Sequence, residues 1–427
     1  MDERETRSAA DPKIVVALIS GAVSIAVAFI ARLNASDRTF FILLLVVLGA
    51  LALLSAVLLG AVRRRLFGVF VTAAAIIGCI AFVNWQRLFP RAPELAYVPA
   101  GVTVLAGTGE RAFLDGPAEL CAFSAPESVA FVQDALCLTD GGRVRRLSGG
   151  TVETMDFPWN QYNALLVRGR EADTYVLAQT RREEDGGGKY YNVFLRLRGD
   201  GAEVISDPLE VGAFSASVED FTFSQGGVLW FLHTVDAPGA ATATLEKLSY
   251  DRDTDSYGSR EWVMDLPYGA DVMRGARMVF DSDDNLYLSV PGKGLVLRLG
   301  RGEQDWRTFA GTEDAAAQND TGGAAFAYPT SLAARDGYLY VMDNGILRRV
   351  TVQEDRAVKC ETLAGVPPQT MEDPSVTTHE AGFGDTVPGD QMAFSSSDRA
   401  EIAVDPQGRV ILTDPLNALV YQIQTEA

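Results

Sequence analysis

Three stretches of the chain repeat one layout, and that repetition narrows the possible folds more than any other feature. The first reads VTVLAG (102–107), a loop, AFSAPESVAF (122–131) and ALCLTDGGRVRRLS (135–148). The second reads WRTFAG (306–311), AFAYPTSLAA (325–334) and YLYVMDNGILRRVTV (338–352). The third reads CETLAG (360–365), MAFSSSDRAEIAV (392–404) and GRVILTDPLNALVYQI (408–423). Between them lie three more divergent copies: YNALLV/TYVLAQ/NVFLRL, VEDFTF/VLWFLH/ATLEKL and ARMVF/NLYLSV/GLVLRL. Each copy is a set of short runs rich in Val, Leu, Phe and Tyr, separated by Gly, Asp or Asn turns. Such runs predict consecutive antiparallel strands. Their recurrence roughly every 40–60 residues predicts four-stranded blades, and six copies predict an all-β six-bladed propeller.

The layout resembles that of NHL-repeat propellers. The resemblance is carried by LAG, a Gly-containing loop, a Phe and a Pro ahead of the first strand, and an Asp opening the turn after the second. Phe123, Pro126 and Asp140 fit it, as do Phe326, Pro329 and Asp343; Phe394 and Asp414 fit it without the Pro. It extends over the whole repeat region, strongly in three blades and weakly in the middle three, and it implies a six-bladed ring. The three Asp residues are expected to cap tight turns.

The register suggests how the ring closes. The last copy ends after its third strand, Leu419–Gln424, while Val102–Ala106 is a fourth-type strand with no blade before it. An open ring would leave two exposed edges, so 102–106 is expected to complete the sixth blade. The long segments 107–125, 311–328 and 365–398 each join a fourth strand to the next first strand, which places them at the top of the ring. Loops of such length tend to be functional or disordered.

Ahead of the repeats stand three uncharged apolar runs, 14–31, 40–62 and 66–83. Each is long enough to suggest a transmembrane helix. A cleaved signal peptide is disfavoured for the first because two more follow at once. Arg4, Arg7, Lys13 and Arg63–Arg65 fall on one side of the spans, against Arg32, Arg38, Arg87 and Arg91 on the other. That bias places the N-terminus in the cytoplasm. The expected organisation is a membrane anchor over 1–91, a linker over 92–101 and a propeller over 102–427. The protein would then be a multi-pass protein of the plasma membrane, touching the bilayer through 14–83, with its propeller on the extracytoplasmic side. No Asp, Glu, Lys, Arg or His lies inside a run, which speaks against an ion or proton pathway.

Charge divides the chain at the same place. Through Arg91 there are ten Lys/Arg against five Asp/Glu; afterwards there are 27 against 51. Nucleic acid is not an expected partner of so acidic a region. Cys121, Cys137 and Cys360 show no CxxC or metal spacing and read as buried thiols, with a Cys121–Cys137 bridge as the alternative.

The positions opening the first strands should ring the channel at the top: Ser128, Asn163, Asp220, Arg277, Ser331 and Glu401, with Glu127 and Glu219 beside them. Such a ring could bind a polar ligand or a cation. It reads equally as a structural network in which Arg277 pairs with Asp220 or Glu401. Asp251, Asp253 and Asp255 begin like a calcium loop, but Ser256 stands where Gly belongs and Glu261 falls one place short. A solvated hairpin is the plainer reading, and calcium is the only cofactor suggested. Asp281–Asn285 reads as an Asx-rich turn.

Catalytic signals are sparse. His233 and His379 are the only histidines, and GxSxG, HExxH, Walker and GxGxxG patterns do not occur. Some NHL-like propellers, such as the amidating lyases, hold a metal with several histidines, which two histidines match poorly. The leading expectation is therefore a binding module, a sensor or scaffold, that presents its top face to a protein, peptide or glycan. The alternative is a lyase or hydrolase using a metal held by channel carboxylates.

Overall fold

The computed structural model describes residues 95–425 apart from 185–186, 200, 212–216, 238–239, 313–323, 367–382 and 396. The three apolar runs and His379 lie outside the described residues. Among the described residues no helix is long and apolar enough to cross a membrane.

Among the described residues, twenty-seven strands form six antiparallel sheets. The sixth sheet contains β1 (Ala100–Ala106), and the first contains β2 (Gly116–Pro117), β3 (Pro126–Val132), β4 (Ala135–Asp140), β5 (Arg143–Ser148) and β6 (Thr151–Thr154). The second holds β7 (Tyr162–Arg170), β8 (Asp173–Glu184), β9 (Gly187–Arg198), β10 (Gly201–Val204) and β11 (Leu209–Val211). The third holds β12 (Ser217–Phe223), β13 (Leu229–Ala237), β14 (Ala240–Asp251) and β15 (Ser256–Asp265). The fourth holds β16 (Met278–Phe280), β17 (Leu286–Val290), β18 (Leu295–Leu299) and β19 (Arg307–Gly311). The fifth holds β20 (Pro329–Arg335), β21 (Tyr338–Asp343), β22 (Ile346–Gln353) and β23 (Arg356–Ala364). β24 (Thr386–Pro388), β25 (Ile402–Val404), β26 (Val410–Asp414) and β27 (Leu419–Thr425) complete the sixth, in the order β24-β1-β27-β26-β25. The fold is a six-bladed β-propeller, closed by β1 pairing with β27 from Ala100↔Thr425 to Ala106↔Val420.

The core lies between blades rather than within one. Leu138 and Phe123 of blade 1 pack with Ile411 and Val420 of blade 6. Phe194 of blade 2 packs with Phe221 and Phe231 of blade 3, and comparable clusters fill the other seams. Blades covered on both faces need strands apolar on both faces, so β4, β17 and β26 are buried at every position. This is why the strands read as unbroken runs instead of alternating ones.

The recurring Asp has a definite task. Asp140 ends β4, and its Oδ1 accepts from the backbone N–H groups of Ser124 (2.8 Å) and Ala125 (2.7 Å). Its Oδ2 pairs with Arg145 at 2.7 Å, both side chains fully buried. The Arg145 guanidinium in turn lies over the Phe123 ring. Blade 5 repeats the device with Asp343, Arg348 and Phe326. In blade 6, which lacks the arginine, Asn417 donates to Asp414 instead. The repeat motif thus ties the incoming loop to the second and third strands of its own blade.

The long top segments also reach outward. β2 pairs with β6, and β24 pairs with β1, so each covers the outer edge of the blade that follows it. The linker treats blade 5 in the same way: Tyr97 bridges Thr362, and its hydroxyl donates to the Gly365 carbonyl at 2.5 Å. Covered edges cannot template pairing with another chain. Cys121, Cys137 and Cys360 are buried and outside any disulfide, so no Cys121–Cys137 bridge forms.

Removing one partner of a buried ion pair strands the other charge. Arg348→Met is therefore expected to cost about 3–5 kcal/mol in chemical unfolding. Adding Asp343→Leu to it should recover part of that loss; a double variant no more stable than the single would contradict the pairing.

Candidate functional site

First strands line the channel, and irregularities near their starts set what points into it. Register shifts fall immediately before Asp220 in β12 and Ser331 in β20, and between Pro126 and Val129 in β3. A shift of this kind unpairs backbone groups and re-aims side chains. Second-strand hydroxyls take up some of the freed N–H groups: Thr139 accepts from Ser128 N, Ser289 from Arg277 N and Thr413 from Glu401 N, at 2.8–3.0 Å.

The side chains then reach across the seams in one direction. Ser128 Oγ accepts from Val167 N (3.0 Å), Asp220 Oδ2 from Met278 N (2.6 Å), Ser331 Oγ from Ile402 N (3.0 Å) and Glu401 Oε2 from Val129 N (3.3 Å). Each joins its blade to the next blade round the ring.

At the centre, two carboxylates meet two guanidinium groups. Arg168 donates through Nη2 to Asp220 Oδ1 at 2.5 Å and to Glu401 Oε1 at 3.2 Å. Its Nη1 reaches Glu401 Oε2 at 2.9 Å and Ser128 Oγ at 3.1 Å, and its Nε reaches the Phe221 carbonyl at 3.0 Å. Arg277 donates through Nε to Glu401 Oε1 at 2.8 Å and through Nη1 to the Glu219 carbonyl at 3.0 Å. Burial disfavours the charged form of Glu401, but Arg168 and Arg277 outweigh it and hold the carboxyl down at about 2. Burial pushes the Asp220 carboxyl up, against the pull of the same two arginines.

Of the eight residues expected at the channel mouth, Ser128, Asp220, Arg277, Ser331 and Glu401 line it. Glu127 and Glu219 stand at the rim: Glu127 pairs with Arg399 at 2.8 Å, and Glu219 accepts from Thr234 Oγ1 and Gly275 N. Asn163 does not join them. In β7 the register shift lies between Ala164 and Leu166, so Asn163 precedes it and stays exposed, beside Gly142. Arg168, five residues further on, was not anticipated. The expected ring set Asp220 and Glu401 against a single arginine, and a buried cluster calls for matching charge; that imbalance was the available signal.

The donor set fits an ion-pair cluster better than a metal. A divalent cation between Asp220 and Glu401 would displace two guanidinium groups and two backbone N–H donors from their oxygens. The calcium-like stretch is the hairpin between β14 and β15. There Asp251 Oδ1 accepts from the N–H groups of Asp253 and Thr254, while Asp255 is taken by Arg196, Arg198 and Tyr250 at 2.7–2.8 Å. Arg198 foremost, then Tyr250, hold the Asp255 carboxyl down at about 2. Asp281 forms the expected Asx turn, accepting from the N–H groups of Asp283 and Asn285. His233 Nδ1 lies 3.2 Å from Glu246, away from the channel cluster.

No family model and no curated protein matches the chain. Many solved structures share the fold. An auxiliary nutrient binding protein from Bacteroides ovatus is 16% identical, with 77% of this chain and 78% of that one covered and a TM-score of 0.52. A streptogramin B lyase is 12% identical over 78% of this chain and 99% of that one, TM-score 0.41. Virginiamycin B lyase from Staphylococcus aureus is 12% identical over 77% and 100%, TM-score 0.40. Likeness at these identities shows the fold alone.

Glu401 is held below its ordinary value, so the stability it contributes is present above about pH 4.5 and is lost as pH falls toward about 2. Asp220, shifted the other way, opposes this in the intact protein. Glu401→Gln should lose about 3–5 kcal/mol at neutral pH and lose less stability than the parent on acidification through that window. Unfolding midpoints across pH check both; an unchanged neutral midpoint would contradict the cluster's role.

Proposed function

We propose that this chain is a membrane-tethered, extracytoplasmic propeller that acts as a sensor or scaffold by binding through its top face. A contrast in the use of side chains supports the reading. In the channel, Asp220, Glu401, Arg168 and Arg277 are engaged with one another and with the backbone. On the top face, large aromatic groups face solvent instead: Phe113 is 42% exposed and Trp159 is 62% exposed. Exposed apolar groups gathered in one place mark interaction surfaces.

Two neighbouring blades raise the relief there. The turn between second and third strands closes at Asp140↔Arg143 in blade 1. In blade 2 the same hairpin continues to Glu184↔Gly187, beyond the last pairing with β7 at Thr180. Four further residues per strand stand about 14 Å clear. Blade 3 continues likewise to Ala237↔Ala240. The anchor reading rests on the three apolar runs and the arginine bias, and the enzyme alternative finds no free carboxylate pair in the channel cluster.

A membrane-impermeant thiol-reactive photo-crosslinker tests face and topology together. Cysteines replace Asn160, beside Trp159 on the top face, or Asp134, in the turn between β3 and β4 on the bottom. Both positions should be labelled in intact cells, and only Asn160 should yield a discrete adduct. Labelling that requires lysis would refute the outside location; adducts from Asp134 alone would refute the top face.

A further inference from the structure

The top of blade 1 holds an arginine that differs from its buried neighbours. Arg143 opens β5 straight after Gly141 and Gly142, both at positive φ in the tight hairpin turn. Its guanidinium lies 4.0 Å from the Phe113 ring centroid and 5.4 Å from that of Trp159. Arg145, two residues on, is bound to Asp140 and Asp115. The Arg143 side chain, by contrast, has no hydrogen bond or ion pair among the described residues. A side chain on Gly141 would collide with Phe113, its added Cβ falling 2.7 Å from Cζ, and one on Gly142 would collide with Asn163 Oδ1 at 2.1 Å. The glycines therefore let the Phe113 ring and the Asn163 amide close on the turn that leads into Arg143.

From this arrangement, and resting on the top-face reading above, we infer that Phe113, Arg143, Trp159 and Asn163 form a site for an acidic saccharide bearing a single carboxylate. The guanidinium fork matches a carboxylate in bidentate fashion. Stacking on the rings fixes the fork in place and lowers the entropy lost on binding. The exposed Trp159 face offers a flat apolar platform for a sugar ring, and the Asn163 amide can both donate to and accept from hydroxyls.

Two other anionic partners fit less well. A peptide bound by strand addition needs an open sheet edge, but the outer strand of blade 1 is covered by β2 and the turn at Arg143 is a closed hairpin. A polyanion would meet a region with 51 Asp/Glu against 27 Lys/Arg and only one unpaired arginine at this site.

The test uses the purified full chain in detergent and an array of saccharides ending in glucuronate, galacturonate or sialate. Each is printed beside its carboxyl-reduced counterpart, and retained sugars are titrated in solution. At least one acidic form should bind, with at least tenfold weaker binding after carboxyl reduction. Arg143→Gln should lose at least tenfold and Trp159→Ala should lose as much, both with unchanged thermal unfolding, and Arg143→Lys should fall between. Retention of no acidic saccharide, equal binding of reduced forms, or an unaffected Arg143→Gln would overturn the proposal. If any of those occurs while the Asn160 crosslink persists, the ligand class is wrong and the binding face stands. Loss of the Asn160 adduct as well would remove the binding face too.

Discussion

A propeller depends on its weakest seam, because every blade is buried by its two neighbours and none has a core of its own. Here one seam is made by a strand from the far end of the domain's sequence. β1 enters the sixth sheet beside β27 and buries Val102 and Val104 against Leu363 and Met342 of blade 5. Without it, β27 would be an open edge and the apolar flank of blade 5 would meet water. The chain then covers the outer side of β1 with β24, so the closing strand is held from both sides.

The channel cluster follows from the same constraint. Six first strands converge there, and register shifts leave backbone N–H groups that must find partners away from bulk water. Ser128, Asp220, Ser331 and Glu401 supply acceptors from one blade to the next. Using carboxylates for two of the four brings negative charge into a buried place, and Arg168 and Arg277 balance it. The result is a set of seam fasteners occupying the position where a propeller often offers a ligand site. Under the proposed function recognition falls to the top surface, where Phe113 and Trp159 remain exposed.

The blades were legible in sequence because burial on both faces produces unbroken apolar runs, which short lengths and glycine turns identify as strands. Asp140 and Asp343 were legible as structural residues from their place at the turn, although the groups they accept from lie in the incoming loop, at Ser124, Ala125 and Tyr328, and not in that turn. Their partners were not: Arg145 and Arg348 each sit in an Arg-Arg pair that looks like solvent-facing charge, although both are fully buried. β2 and β24 escaped notice because they pair through backbone alone, with Gly-Pro and Thr-Val-Pro offering no apolar pattern. Asn163 was misplaced because a register shift cannot be located from residue types, and Arg168 was passed over because the strand was read as ending at Val167.

Under the proposed function the channel groups hold the ring together while the top loops do the binding. Hydrogen–deuterium exchange on the full chain, in native membranes and again after purification in detergent, tests it most directly. The amides of Val129, Val167, Met278 and Ile402 should exchange slowly in both states, whereas segments 108–122 and 155–163 should lose protection when native partners are removed. Protection lost at the four channel amides, with the two top segments unchanged, would contradict the account.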